Sequence, residues 1–399
     1  MDKNSQYFIA LLNAFLKDTM PAKPIDVDWG KVYDLASMHS LSGAVYLPIQ
    51  KLENTDKPEL SILNKFKSDF FYATLRYEEQ EKVYQKIAKK LSDDRIEHLF
   101  FKGVVIREYY PVKQMRTLGD IDFLLHKKDQ EAFKKFMTRM GFKNTSSEQH
   151  EKYEKGKIII EAHDKLISNK INSKVDYSAY FENAWDYAIA KENGYTYELN
   201  MEYHLVFLLT HLAKHFYELG AGVRMILDIA VILQKFGDVL NFSFIWKELK
   251  EIKLDIFAQN VFVLCDRWFQ VKNTGTALEV DEFAFNVMTN YILDGGTFGF
   301  CNNQAIRIIK REYVKVDNHK LPKFRTFWRK IFLDFDEMSS KYPILGKLPF
   351  LLPFASVHRW FKCIIKKRSR TIKILKTLLT FTWLDEVEKS TDMMKKIGL

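Results

Sequence analysis

Asp120 and Asp122 stand two residues apart in the run Arg116-Thr117-Leu118-Gly119-Asp120-Ile121-Asp122-Phe123-Leu124-Leu125. On an extended strand, side chains at i and i+2 share a face. The two carboxylates would therefore project together, with Ile121, Phe123 and Leu125 packed behind them. Adjacent carboxylates repel unless a cation lies between them, and Mg²⁺ prefers oxygen ligands of this kind. The spacing points to a metal-dependent phosphoryl-group site. A third carboxylate, Glu161, interrupts the apolar run Ile158-Ile159-Ile160-Glu161-Ala162-His163. Charge in a buried strand is costly unless it is paired or metal-bound. If this strand lies beside the one expected at 116–125, Glu161 completes a triad, as ligand or as general base. His163, two residues on, shares its face.

The phosphates of a substrate need a cradle, and Lys102-Gly103 offers one where a strand at 96–101 turns into a short helix at 104–109. Glycine lets backbone approach an anion closely, and a helix N-terminus favours negative charge. Arg116 would add a bidentate phosphate contact. The Gly-x-x-x-x-Gly-Lys-Ser/Thr loop is absent. Further on, His204, His211 and His215 fall on one helical stripe with Lys214 beside it. The pair at i and i+4 lacks the Glu of a His-Glu-x-x-His zinc motif; such histidines are most simply hydrogen-bonded at a domain boundary, and His211, Lys214 and His215 also fit an acceptor pocket with His163 and Arg224. Arg224 and Asp228 are spaced for an intrahelical i,i+4 contact.

These residues need a scaffold. The chain has 399 residues, 47% hydrophobic, 28% charged and 15% aromatic, which describes a folded protein with large helical cores. Residues 1–91 read as an N-terminal helical region whose stretch 63–91 forms one or two helices. A nucleotide-scale α/β unit follows at 92–170. Its strands are expected at 96–101, 116–125, 143–147 and 157–163, with an amphipathic helix at 127–140 closed by Gly141. Residues 171–302 return to helical pattern throughout. Residues 303–399 form a basic helical C-terminal region. The fold class is α+β: a small mixed sheet with helices, embedded in a largely helical protein.

The pattern Leu99-Phe100-Phe101-Lys102-Gly103, then Tyr110-Pro111, then Arg116-Thr117-Leu118-Gly119-Asp120-Ile121-Asp122, then Ile160-Glu161-Ala162-His163 resembles the uncharacterised nucleotidyltransferase family found in bacteria, within the DNA polymerase beta-like superfamily. The resemblance is firmest over 95–165. It extends more weakly through His211-Leu212-Ala213-Lys214-His215 and Gly220-Ala221-Gly222-Val223-Arg224. It implies metal binding by Asp120, Asp122 and Glu161, two Mg²⁺ ions, and triphosphate contacts near Gly103. The implied reaction moves a nucleoside monophosphate from an NTP to a hydroxyl of a small molecule or protein, with pyrophosphate leaving. The superfamily usually carries Gly-Ser or Gly-Gly at the turn. Here Lys102-Gly103-Val104 provides no hydroxyl, and Lys102 or Arg116 is expected to substitute.

The net charge of +10 is uneven: residues 301–399 hold 22 Lys/Arg against 9 Asp/Glu. That tail suggests an anionic partner. Basic and apolar residues alternate over 340–380, which fits a peripheral contact with an anionic membrane or a helix packed on the fold. Nucleic acid is the least favoured partner, since no fold that reads it is recognised. Cys265, Cys301 and Cys363 form no metal spacing or even disulfide set, and residues 1–6 show no signal pattern. The expectation is a cytoplasmic protein, with peripheral membrane contact through the tail as the alternative. A function of another class also fits: a nucleotide-binding or scaffold protein with weak catalysis.

Overall fold

A computed structural model describes residues 1–145, 151–167, 175–296 (without 193 and 219), 335, 338–339, 342–346, 348–366 and 392–399. Residues 1–300 with 395–399 form one compact unit, and 301–394 another.

In the first unit, helices α1 (Lys3–Lys17), α2 (Trp29–Met38) and α3 (Ser42–Lys51) precede α4 (Leu60–Asp93), a single unbroken helix. Asp2 and Asp28 cap α1 and α2 by accepting backbone N–H bonds in the first turn. The α/β unit then runs β1 (His98–Phe100), α5 (Gly103–Ile106), β2 (Ile121–Leu125), α6 (Gln130–Arg139), β3 (Lys143–Asn144), β4 (Glu151–Lys155) and β5 (Ile158–His163). After α7 (Tyr177–Tyr180) come β6 (Ala188–Ala190) and β7 (Thr196–Leu199), then α8 (Met201–Glu218), α9 (Val223–Phe236), α10 (Phe242–Glu251), α11 (Asp255–Phe269) and α12 (Glu282–Gly295). The architecture is α+β. One mixed sheet, in the order β3-β4-β5-β2-β1-β7-β6, sits among helices.

Period-2 patterning sets the two faces of β2. Ile121, Phe123 and Leu125 join Ile160, Ala162, Phe133, Met137 and the α4 residues Ile87 and Leu91 in one core cluster. Asp122 points to the opposite face. α6 buries Phe133 and Met137, the stripe expected from its spacing, and Gly141 (φ 79°) ends it in the left-handed conformation glycine tolerates.

Four local expectations are corrected. The second strand begins at Ile121, not 116, because residues 116–118 are held by side chains in place of a strand ladder. Gln80 Nε2 donates to Leu118 O (3.1 Å), and Arg116 Nη1 and Arg224 Nη1 donate to Thr117 O (2.7 and 3.1 Å). The polar stretch before β5 contains strand β4, whose alternation is masked by charge at Glu151, Lys152, Glu154 and Lys155, with only Tyr153 turned into the core. The stretch 171–302 is not helical throughout: β6 and β7 extend the sheet, β7 pairing parallel with β1. The helix expected at 127–140 opens with a 3-10 turn at Lys127–Asp129.

In the second unit, the described elements are short 3-10 turns and the helix Leu352–Lys366. Residues 340–341, 347 and 367–380 of the basic stretch, and strand residues 146–147, lie outside the described residues. No described helix is long and apolar enough to cross a membrane.

Candidate active site

Strand pairing brings the distant carboxylates together. β2 and β5 run parallel with Asp122 opposite Glu161 and Leu124 opposite His163. Side chains at paired positions of neighbouring strands share a face. Ligand atoms of Asp122, Glu161 and His163 consequently lie within 4.8 Å of one another. Asp120 precedes the strand. It lines the same cavity, of about 320 Å³, together with Lys102, Gly103, Arg116, His211, Lys214, His215 and Arg224. Every candidate residue from the sequence thus borders one space.

Asp122 is buried and charged. Its Oδ1 accepts from Lys102 Nζ at 2.8 Å and from His163 Nε2 at 2.9 Å. Burial opposes its ionisation, but the Lys102 ammonium and the His163 bond more than offset that and hold its carboxyl below the usual range. Asp120 moves the other way: the neighbouring Asp122 charge, then burial, raise its pKa. The two carboxyls therefore differ in how readily they give up a proton. Burial lowers the pKa of His163. A neutral imidazole facing a carboxylate oxygen carries its proton on that nitrogen, so Nε2–H donates to Asp122.

Lys102 is fixed from both ends. Its backbone sits at φ 59°, ψ −138°, a conformation disfavoured for any side-chain-bearing residue. Its N–H donates to Nε2 of the fully buried His204 (3.0 Å), and its Nζ lies 5.2 Å from the centre of the Phe101 ring. Burial works against its charge, yet Asp122, Asp120 and Glu161 together raise its pKa. The sequence puts His204 on a histidine stripe; its role as acceptor for the strained Lys102 amide has no local sequence signal. Gly103 is needed for a reason unrelated to anions: a Cβ there would meet Leu118 Cδ2 at 2.8 Å and the Arg116 guanidinium at 3.0 Å.

Arg116 and Arg224 exchange the partners expected of them. Arg116 Nε and Nη2 donate to Asp228 Oδ1 and Oδ2 (2.8 and 2.7 Å), and the Tyr110 hydroxyl donates to the same Oδ1 (2.6 Å). The expected Arg224–Asp228 contact is therefore absent, because the Asp228 carboxylate turns off its helix toward Arg116. Arg224 Nη1 instead donates to Thr117 O and Oγ1 (3.1 and 3.0 Å). His211 and His215 face each other, Nε2 to Nε2 at 3.2 Å, and burial pushes both pKa values down, that of His215 to about 4.

A second cavity, of about 370 Å³, lies on the other side of the loop and shares Arg116, Leu118, Gly119 and Arg224 with the first. Two carboxylates and an imidazole converging beside a third carboxylate form a donor set suited to a hard divalent cation. Lys102, Arg116, Lys214 and Arg224 line the same cavity. That combination of acidic and basic walls can take a metal-complexed anion.

No curated protein and no solved structure matches the chain. Residues 26–270, the stretch that holds every side chain of the acidic cavity, match the family described as uncharacterised nucleotidyltransferase. With more than half of the chain matched, the protein belongs to that family.

Proposed function

We propose that the protein transfers a nucleoside monophosphate from an NTP to a hydroxyl of a small molecule or protein side chain, with pyrophosphate leaving. The observation that carries this reading is the Asp122–Glu161 register on adjacent parallel strands, which gathers acidic ligands at a cavity with basic walls. Asp122, Glu161 and Asp120 would hold Mg²⁺, with His163 at the edge of the set. Bound there, the metal would neutralise triphosphate charge and lower the pKa of an attacking hydroxyl.

The chain's own groups supply the rest. Glu161 is placed to accept the acceptor's proton. Lys102, whose Nζ meets Asp122 Oδ1, would supply positive charge to the phosphates beside Gly103. Arg116, locked to Asp228, holds the loop that presents Asp120. Neutral His211 and His215, with Lys214, offer hydrogen bonds to an acceptor on the far wall. The two cavities give room for two substrates on either side of Gly119.

The test is transfer of labelled α-phosphate from each NTP to acceptor mixtures, with Asp122→Asn as control. Label on an acceptor that vanishes in the variant supports the reading. A second reading, nucleotide binding with little catalysis, draws on the Lys102–Asp122 ion pair: a lysine that never yields that oxygen would keep the metal out. Binding of NTP without pyrophosphate release under any condition favours it. The peripheral membrane contact proposed for the tail finds support in exposed Phe350 and Phe354 at the start of a helix in the basic unit.

A further inference from the structure

Charges around the acidic cavity are unevenly paired. Lys102 meets Asp122. Arg116 meets Asp228 through two parallel bonds and spends its third nitrogen on Thr117 O. Asp228 stands one helical turn beyond Arg224 on α9, yet its carboxylate is taken by Arg116 and the Tyr110 hydroxyl. Arg224 is left with two neutral oxygens of Thr117, both reached through Nη1. Among the described residues it forms no ion pair. A guanidinium offers five donors in a planar fork, so a half-buried one bonded only to neutral acceptors retains unused donors, and the charges of Asp228 and Asp120 act on it only from beyond ion-pair distance. Burial, reinforced by the Arg116 cation, depresses its pKa to about 10.

Its position adds direction. Arg224 borders both cavities at Gly119, where an added Cβ would meet nothing within 4 Å. It lies in the first turn of α9, whose N-cap is Gly222 and has no side-chain cap. The helix dipole there reinforces a positive field. Asp122 and Glu161 border the same first cavity.

We infer that Arg224 is the oxyanion receptor of this site and binds the phosphate tail of the donor nucleotide, while Arg116, by occupying Asp228, leaves it free of an ion pair. The inference rests on the nucleotidyltransferase reading for the identity of the anion. An anion held by Arg224 would share the cavity with Asp120, Asp122 and Glu161 and lie near the first turn of α9. Fork geometry suits a phosphate with two available oxygens. Thr117 is a positioning residue: its hydroxyl orients the guanidinium.

The experiment uses the full chain and isothermal titration with inorganic tripolyphosphate in Mg²⁺ buffer. Arg224→Gln should weaken binding about tenfold to a hundredfold, as loss of a charged bidentate contact predicts. Arg224→Lys should recover part of that, and Thr117→Val should lose a few-fold. Matching thermal melts establish that the variants fold; if Arg224→Gln does not, the Lys and Val variants carry the comparison. Unchanged tripolyphosphate affinity in folded variants overturns the inference. So does a rise in KM for the acceptor alone, which would put the anion on that substrate. Arg224-dependent tripolyphosphate binding in a chain that never transfers label supports the receptor while removing the transferase reading. Label transfer with an unaltered KM for NTP in Arg224→Gln does the reverse.

Discussion

Lys102 Nζ and Asp122 Oδ1 are 2.8 Å apart, and that contact places a cation on one of the two oxygens that Asp122 offers a divalent metal. Two cations cannot share one carboxylate oxygen at close range without strong repulsion. Metal binding through that oxygen would displace the lysine. Removing its charge should favour free metal: Lys102→Met is expected to bind Mn²⁺ about tenfold more tightly than wild type without nucleotide, as read by electron paramagnetic resonance. Equal or weaker affinity would show that Lys102 does not compete. Lys102→Gly is the companion variant, since glycine accepts the φ of 59° at this position.

The Arg116–Asp228 pair predicts a large stability effect. Their side chains are only 10% and 8% exposed, and breaking a buried, bidentate pair from one side leaves a desolvated charge. Asp228→Ala should cost about 3 kcal/mol or more, measured by urea unfolding. A cost below about 1 kcal/mol would mean that water or Tyr110 compensates the arginine. Activity should fall as well, because the loop carrying Asp120 loses its anchor.

Gly103→Ala tests packing against phosphate approach. The new methyl would press on Leu118 and on the pinned guanidinium of Arg116, which predicts a destabilisation of about 1–3 kcal/mol even in buffer without nucleotide. If only nucleotide affinity changes and the unfolding midpoint stays put, the glycine is reserved for the ligand instead.

Acid should weaken the fold through its buried imidazoles. Burial lowers the pKa of both His39 and His204 from 6.5 to about 4. Between those values the unfolded chain binds more protons than the folded one, so stability is full above about pH 6.5, declines as pH falls, and levels off below about 4. Each group accounts for about 3 kcal/mol over that window. Urea midpoints from pH 7.5 to 4.5 should show the slope. His204→Gln, whose amide oxygen can still accept from the Lys102 N–H, should flatten part of it; an identical slope in that variant contradicts the assignment.

Much of the site was legible before any fold was known, and the reason is geometric. Asp122 with Ile121 and Phe123 reads correctly because alternation along a strand is a local property. Glu161 stood out because a carboxylate inside three isoleucines demands a partner. The stripe of α6 and its Gly141 stop follow from helical spacing alone. The strand β4 did not announce itself, since only Tyr153 of its residues enters the core.

By itself the sequence determined which residues are acidic and basic and put Asp122 and Glu161 on strands, and it marked the family through the Lys-Gly turn, the Asp-Ile-Asp run and the Glu strand. The tertiary structure alone decided who meets whom. Parallel pairing of β2 with β5 set Glu161 beside Asp122 and made His163 the neighbour of both, while Asp120 fell outside the strand. Partner choice among charges depends on how elements pack: Arg116 passed over nearby carboxylates for Asp228, 112 residues away, leaving Arg224 with no ion pair. Side-chain direction is written locally, but the competition of four cations for four carboxylates in one low-dielectric cavity is settled only when the helices and the sheet close around it.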